Sequence, residues 1–300
     1  MAILGLAMAA FILAAEATAL ASAASLVTFI FGDSLTEVGN NKYLQYSLAR
    51  SDYPWYGIDF PGGKATGRFT NGRTIGDMIS EKLGIPSPPP YLSLSMNDDA
   101  LLTGVNYASG GAGILNETGL YFIQRLSFYD QIDCFKKTKE SIKAKIGEAA
   151  ANKLCNEAMY FIGLGSNDYV NNYLQPFLAD GQQYTSDEFV ELLISTLKKQ
   201  LSVLIRTLQA ISHESSNLIM PDAVPTGCQK GFKISNTSCC NVDTTIGGLC
   251  LPNSKLCSNR KDYVFWDAFH PSDAANAVLA EKFFSTLFSA PPSVAPKPSP

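Results

Sequence analysis

Histidine is scarce in this chain: two occur in 300 residues, so any step that needs an imidazole must run through His213 or His270. Lysine- and arginine-rich runs are missing as well. With a net charge of −4, that argues against nucleic acid as a partner and points to a neutral or apolar one. No uninterrupted apolar stretch reaches the ~18 residues a membrane span needs, so no stable membrane anchor is expected. No two cysteines have C-x-x-C spacing, and the cysteine-rich segment has no nearby histidine before His270, which disfavours a zinc site there.

What the chain does have is apolar residues, 46% of the total, enough to bury a sizeable core. Residues 1–23 form a small-residue apolar stretch closing on Ala21-Ser22-Ala23, the A-x-A pattern of a cleaved secretory signal. The seven cysteines suit the oxidising compartment that such a signal implies. Four of them, Cys239, Cys240, Cys250 and Cys257, crowd one Gly/Asn-rich segment and are expected to staple a loop with two disulfides. Cys134 and Cys155 flank one helix-like stretch and are expected to form a third, leaving Cys228 over. Asn116 and Asn236 head N-x-S/T sequons and are candidate glycosylation sites. The Pro/Ser-rich segment 290–300 reads as a disordered tail, so the folded domain is expected over 24–289.

Leu26 to Phe31 is a short, continuously apolar run rich in β-branched residues, the pattern of a strand buried on both faces of a parallel sheet. Further strands are predicted at Gly104 to Ala108 and Ala158 to Leu164, each closing on glycine and small polar residues. Helix-compatible stretches run from Phe135 to Lys153 and from Asp187 to Gln209. Strand-helix alternation of this kind predicts a parallel α/β sheet with its active groups on loops at the carboxyl ends of the strands. Tyr43, Tyr46, Trp55, Tyr56 and Phe69 lie in turn-rich surroundings and are candidates either for a cleft or for core packing.

Those strand ends carry chemistry. Ser34 follows the first buried strand and is predicted to open a helix, as a nucleophile or as a simple N-cap. In Asp267-Ala268-Phe269-His270-Pro271, a carboxylate three residues before an imidazole shares one face of a tight turn, so Asp267 can hold Nδ1 while Nε2 faces a serine. A capped turn with a surface imidazole is the plainer reading of the same residues. His213 lies in a polar run without a strand end beside it and reads as solvated. Gly110, in Asn106-Tyr107-Ala108-Ser109-Gly110-Gly111, and Asn167, in Gly163-Leu164-Gly165-Ser166-Asn167-Asp168, are candidate oxyanion donors, or ordinary turn residues.

Together, Ser34 in its GDSL block, Gly110, Asn167 and the D-x-x-H of Asp267 and His270 resemble, in order and type, the blocks of the SGNH hydrolases. Gly39-Asn40-Asn41, Gly67-Arg68-Phe69-Thr70-Asn71-Gly72-Arg73 and Tyr263-Val264-Phe265-Trp266-Asp267 resemble the plant GDSL esterase/lipase branch. The resemblance implies a flavodoxin-like three-layer α/β/α fold with a parallel sheet. It also implies secretion to the apoplast or cell wall, and hydrolysis of a lipid or other small-molecule ester without metal or organic cofactor. Ser34, His270 and Asp267 would form the catalytic set, with an oxyanion hole made by the backbone N–H groups of Ser34 and Gly110 and the side chain of Asn167. No G-x-S-x-G elbow is present, which argues against the α/β-hydrolase fold.

One departure stands out. Asn217 to Met220 and Val224 to Cys228 resemble the family's fourth strand and its turn, yet Gly231-Phe232-Lys233 already resembles the lead-in to the cysteine cluster. A strand-helix unit of at least ~30 residues is expected to be missing near 228–231, and with it the last edge strand. The partner of Cys228 would have lain in that unit. The rival readings are therefore a catalytically impaired relative, such as a pseudoenzyme or truncated variant, and a lipid- or carbohydrate-binding module.

Overall fold

Strand β1, Thr28–Gly32, is buried along its whole length because it is the middle strand of a parallel sheet. In a computed structural model that describes residues 26–175, 178, 180–208, 231–243 and 247–288, β2 (Gly104–Asn106) and β3 (Met159–Gly163) flank it in the order β2-β1-β3. The registers pair Thr28 with Gly104 and Met159, and Gly32 with Gly163. Strand residues alternate faces. Phe29 and Phe31 therefore point one way, into a core with Phe128, Phe135 and Phe189, whereas Ile30 points the other way, toward Ile75, Met78 and Phe283.

Those two cores are the sheet's two helical layers. On the first face lie α2 (Phe128–Ile146), α3 (Glu148–Glu157) and α6 (Ser186–Leu208), and on the second α1 (Ile75–Lys82) and α7 (Asp273–Phe288). Capping boxes fix two of the starts, Thr74 with Asp77 on α1 and Ser127 with Asp130 on α2. The helix predicted from Phe135 to Lys153 is in fact two helices. Gly147, at φ 81°, ends α2 and begins α3. Short α4 (Ser166–Asp168) and α5 (Asp180–Gln183) complete the set. The architecture is α/β/α in three layers. The fourth strand read at 217–220 with its turn at 224–228, the signal stretch, His213, Cys228 and the Pro/Ser tail lie outside the described residues.

The cysteine-rich segment is more than a loop. β4 (Ile234–Ser238) and β5 (Tyr263–Phe265) pair in parallel as a second small sheet, closed by Cys239–Cys257 and Cys240–Cys250 disulfides. Its core is Tyr56, Trp266 and the half-cystines. The four thiolates that a zinc site would need are thus spent on disulfides.

Cys134 and Cys155 are not bridged, contrary to the sequence expectation. Each is a buried small hydrophobe in the α2/α3 face of the core. Cys134 meets Tyr91 and Cys155 meets Tyr160, and burial pushes both thiols up to about 11.

Candidate active site

The site begins where β1 ends. Gly32 leaves no room for a side chain, since a Cβ there would lie 2.3 Å from Thr36 Oγ1 and 2.8 Å from the Gly163 carbonyl. The chain then turns instead of opening the predicted helix. Asp33 Oδ1 accepts the Leu35 N–H at 2.9 Å, and the buried Glu37 carboxyl accepts the N–H groups of Gly39 (2.9 Å) and Asn41 (3.0 Å). Side-chain acceptors thus take the backbone donors that a helix would have used. The result holds half-buried Ser34 on a tight turn. Among the described residues no acceptor takes the Ser34 N–H.

Across the chain, β5 runs straight into Trp266 and the Asp267–His270 turn. That turn is closed by the Trp266 N–H donating to the His270 carbonyl at 2.8 Å. It is sewn to the disulfide unit by bonds from the Cys240 N–H to the Trp266 carbonyl and from the Ala268 N–H to the Gly248 carbonyl. The cysteine unit, still present in this chain, therefore sets the turn's position.

The sequence expectation for these residues was one shared face, and the structure brings them together. His270 Nε2 lies 2.9 Å from Ser34 Oγ, and Nδ1 lies 2.8 Å from both Asp267 carboxylate oxygens. Asp267 is wholly buried. Its Oδ1 accepts the N–H groups of Phe269 and His270, each at 2.9 Å. The Phe69 ring lies against the imidazole, centroids 5.0 Å apart.

The two oxyanion candidates stand differently. Asn167, on α4, is buried, with one amide hydrogen on the Ala112 carbonyl at 2.8 Å and its oxygen accepting from Asn171. Gly110 donates its N–H to Asn41 Oδ1 at 3.1 Å and accepts from Asn41 Nδ2 at 3.0 Å. Its expected free donor is therefore engaged. Gly110 itself is required by space, because a Cβ would lie 2.7 Å from the Phe69 ring that rests on His270. The candidate sequons Asn116 and Asn236 are both exposed.

Three features escaped the sequence reading. Asn41 is a buried hub that also accepts from Ser109 Oγ at 2.5 Å and donates to the Ala49 carbonyl at 2.8 Å, tying the loop after Ser34 to the Gly110 loop. The Gly39-Asn40-Asn41 run was the available signal. Tyr56 O–H donates to Asp267 Oδ2 at 2.6 Å. Buried Asp33 takes a bond from Ser166 Oγ at 3.0 Å, joining the ends of β1 and β3, and burial raises its carboxyl to about 6. Of the aromatics near the first motif, Tyr56 and Phe69 are core, while Tyr43 and Tyr46 are exposed.

Comparison with known proteins agrees in outline. The family profile described as GDSL-like Lipase/Acylhydrolase matches residues 28–230 and 195–283. Three Arabidopsis thaliana proteins are similar over most of their length. GDSL esterase/lipase At5g37690 is 61% identical over 93% of this chain and 94% of its own. GDSL esterase/lipase At1g74460 is 41% identical over 85% of each, and GDSL esterase/lipase LTL1 is 36% identical over 86% of each. The first alignment runs over 334 positions but takes in 93% of 300 residues, about 279, so about 55 positions of that relative face no residue here.

Proposed function

The chain belongs to the GDSL-like lipase/acylhydrolase family and is a carboxylic ester hydrolase, and we propose that it works through Ser34 as nucleophile, His270 as general base and Asp267 as the carboxylate that orients the imidazole. The observation that carries this reading is the continuous line from Ser34 Oγ to His270 Nε2 at 2.9 Å and from Nδ1 to Asp267 at 2.8 Å. Nε2 takes the Ser34 proton as Oγ attacks the ester carbonyl. The tetrahedral intermediate then collapses, and the same proton goes to the departing alcohol. His270 next deprotonates a water, which attacks the acyl-enzyme, and the imidazolium then returns that proton to Ser34 Oγ as the acid departs.

The oxyanion meets two donors in this reading, the Ser34 N–H and the second amide hydrogen of Asn167. Gly110 joins them by sharing or leaving its bond to Asn41. The substrate class is a lipid or other acyl ester. The A-x-A stretch at 21–23, the two disulfides and the exposed sequons support secretion.

Turnover of a short-chain chromogenic ester, with covalent labelling by a fluorophosphonate, tests the proposal. Wild type should turn over the ester and take one equivalent of probe on Ser34. Ser34→Ala and His270→Ala should each lose on the order of 10³ or more in kcat while remaining folded. Probe still bound by Ser34→Ala would overturn the assignment. A folded wild type that neither reacts nor labels is the impaired relative that the missing segment suggests.

A further inference from the structure

Asp267 Oδ1 is held by two backbone N–H groups, but among the described residues Oδ2 has no backbone donor. Besides the imidazole, its bond is to the Tyr56 hydroxyl, 2.6 Å away on a ring that is itself 1% exposed. The direction of that bond is fixed by a third group. The Cys250 N–H donates to the Tyr56 oxygen at 3.0 Å and cannot accept, so the hydroxyl proton has one place to go, the carboxylate. Burial and the neighbouring Asp267 carboxylate raise the Tyr56 phenol well above its ordinary range, so it stays a donor at any working pH. Cys250 is bonded to Cys240, whose N–H holds the Trp266 carbonyl at the head of the Asp267 turn. The phenol and the carboxylate it serves thus hang from one disulfide.

We infer that Tyr56 is a positioning residue for the Asp267–His270 pair, held at its post by the Cys240–Cys250 loop. The inference rests on the proposed roles of Asp267 and His270. A charge-assisted bond from a buried donor fixes the rotation of the carboxylate about its last torsion and so fixes the plane in which Nδ1 is held. Without it, the Oδ2 of the buried Asp267 keeps only the imidazole as partner among the described residues, and rotation of the carboxylate about that torsion is less constrained.

A double-mutant cycle on the full-length, oxidised protein decides the matter, with 4-nitrophenyl butyrate as substrate. Tyr56→Phe should lower kcat about tenfold and leave KM within about twofold, because the interaction acts on the base and not on substrate binding. In an Asp267→Asn background the same change should cost nothing further, since the carboxylate it serves is gone. An equal loss in both backgrounds would mean a general structural effect and would overturn the inference. So would full kcat in Tyr56→Phe beside a defective Asp267→Asn, which leaves the proposed catalytic set standing. Full kcat in Asp267→Asn would overturn that set, and this inference with it. If Tyr56→Phe does not fold, the Cys240→Ser/Cys250→Ser pair, which keeps the phenol but releases its anchor, takes its place in the cycle with the same expectations.

Discussion

Asn167 spends one amide hydrogen on Ala112 and its oxygen on Asn171, and among the described residues nothing else accepts from its amide. In the proposed mechanism this open donor would bind charge that exists only in the transition state. Asn167→Ala should therefore lower kcat by about 10² to 10³ with little change in KM. A change in KM alone would make Asn167 an ordinary substrate contact. Gly110 makes a steric prediction. A methyl group there meets the Phe69 ring at 2.7 Å, and that ring packs against the His270 imidazole, so Gly110→Ala should cut kcat on the order of tenfold or more. Unchanged kcat would show that the loop relaxes away from Phe69. The Asp267–His270 pairing was legible in the sequence because a three-residue spacing in a turn fixes which side chains share a face. Gly110's bond to Asn41 was not, because the partner lies 69 positions away.

At the scale of elements, the Ser34 turn is built around carboxyl groups that water does not reach. Burial pushes Glu37 up to about 8 from an ordinary 4.5, against the pull of two backbone N–H groups, and its Oε2 has no partner among the described residues. A neutral carboxyl is cheaper to bury there than a carboxylate with one bare oxygen. The unfolded chain ionises this group near 4.5 and the folded one near 8. Its contribution to stability is therefore full below about 4.5 and lost as pH rises to about 8. Asp33 and Asp168, both raised to about 6 chiefly by burial, act in the same direction. Glu37→Gln keeps the Oε1 acceptor and removes the proton equilibrium, so its melting temperature should fall less between pH 5 and 8 and exceed wild type at pH 8 by several degrees. Parallel melting curves for the two proteins would refute a neutral Glu37. The strands β1 to β3 were legible because full burial on a parallel sheet leaves a continuous apolar run. β4 was not: Ile234-Ser235-Asn236-Thr237-Ser238 carries no apolar alternation, and disulfides hold it where burial would normally do so.

For the molecule as a whole, the cysteines report on how the chain tolerates its shortened form. About 55 positions of its Arabidopsis relative have no counterpart here, yet both disulfides of the unit that carries Asp267 and His270 are in place. Seven cysteines with two bridges leave Cys134, Cys155 and Cys228 to account for, and Cys228 lies outside the described residues. Cys134 and Cys155 are buried, and at pH 8 thiols raised to about 11 hold almost no thiolate. Neither should react with iodoacetamide while the protein is folded, because alkylation needs both the thiolate and a path to it. In denaturant without reductant both should label fully. Intact mass and peptide mapping, run on folded and unfolded samples, separate the alternatives. Labels on Cys134 and Cys155 only after unfolding match two free core thiols. A Cys134–Cys155 disulfide would leave both unlabelled in denaturant and reinstate the bridge that their spacing along the chain had suggested. Rapid labelling of either in the folded state would mean that the α2/α3 face of the core opens to solvent.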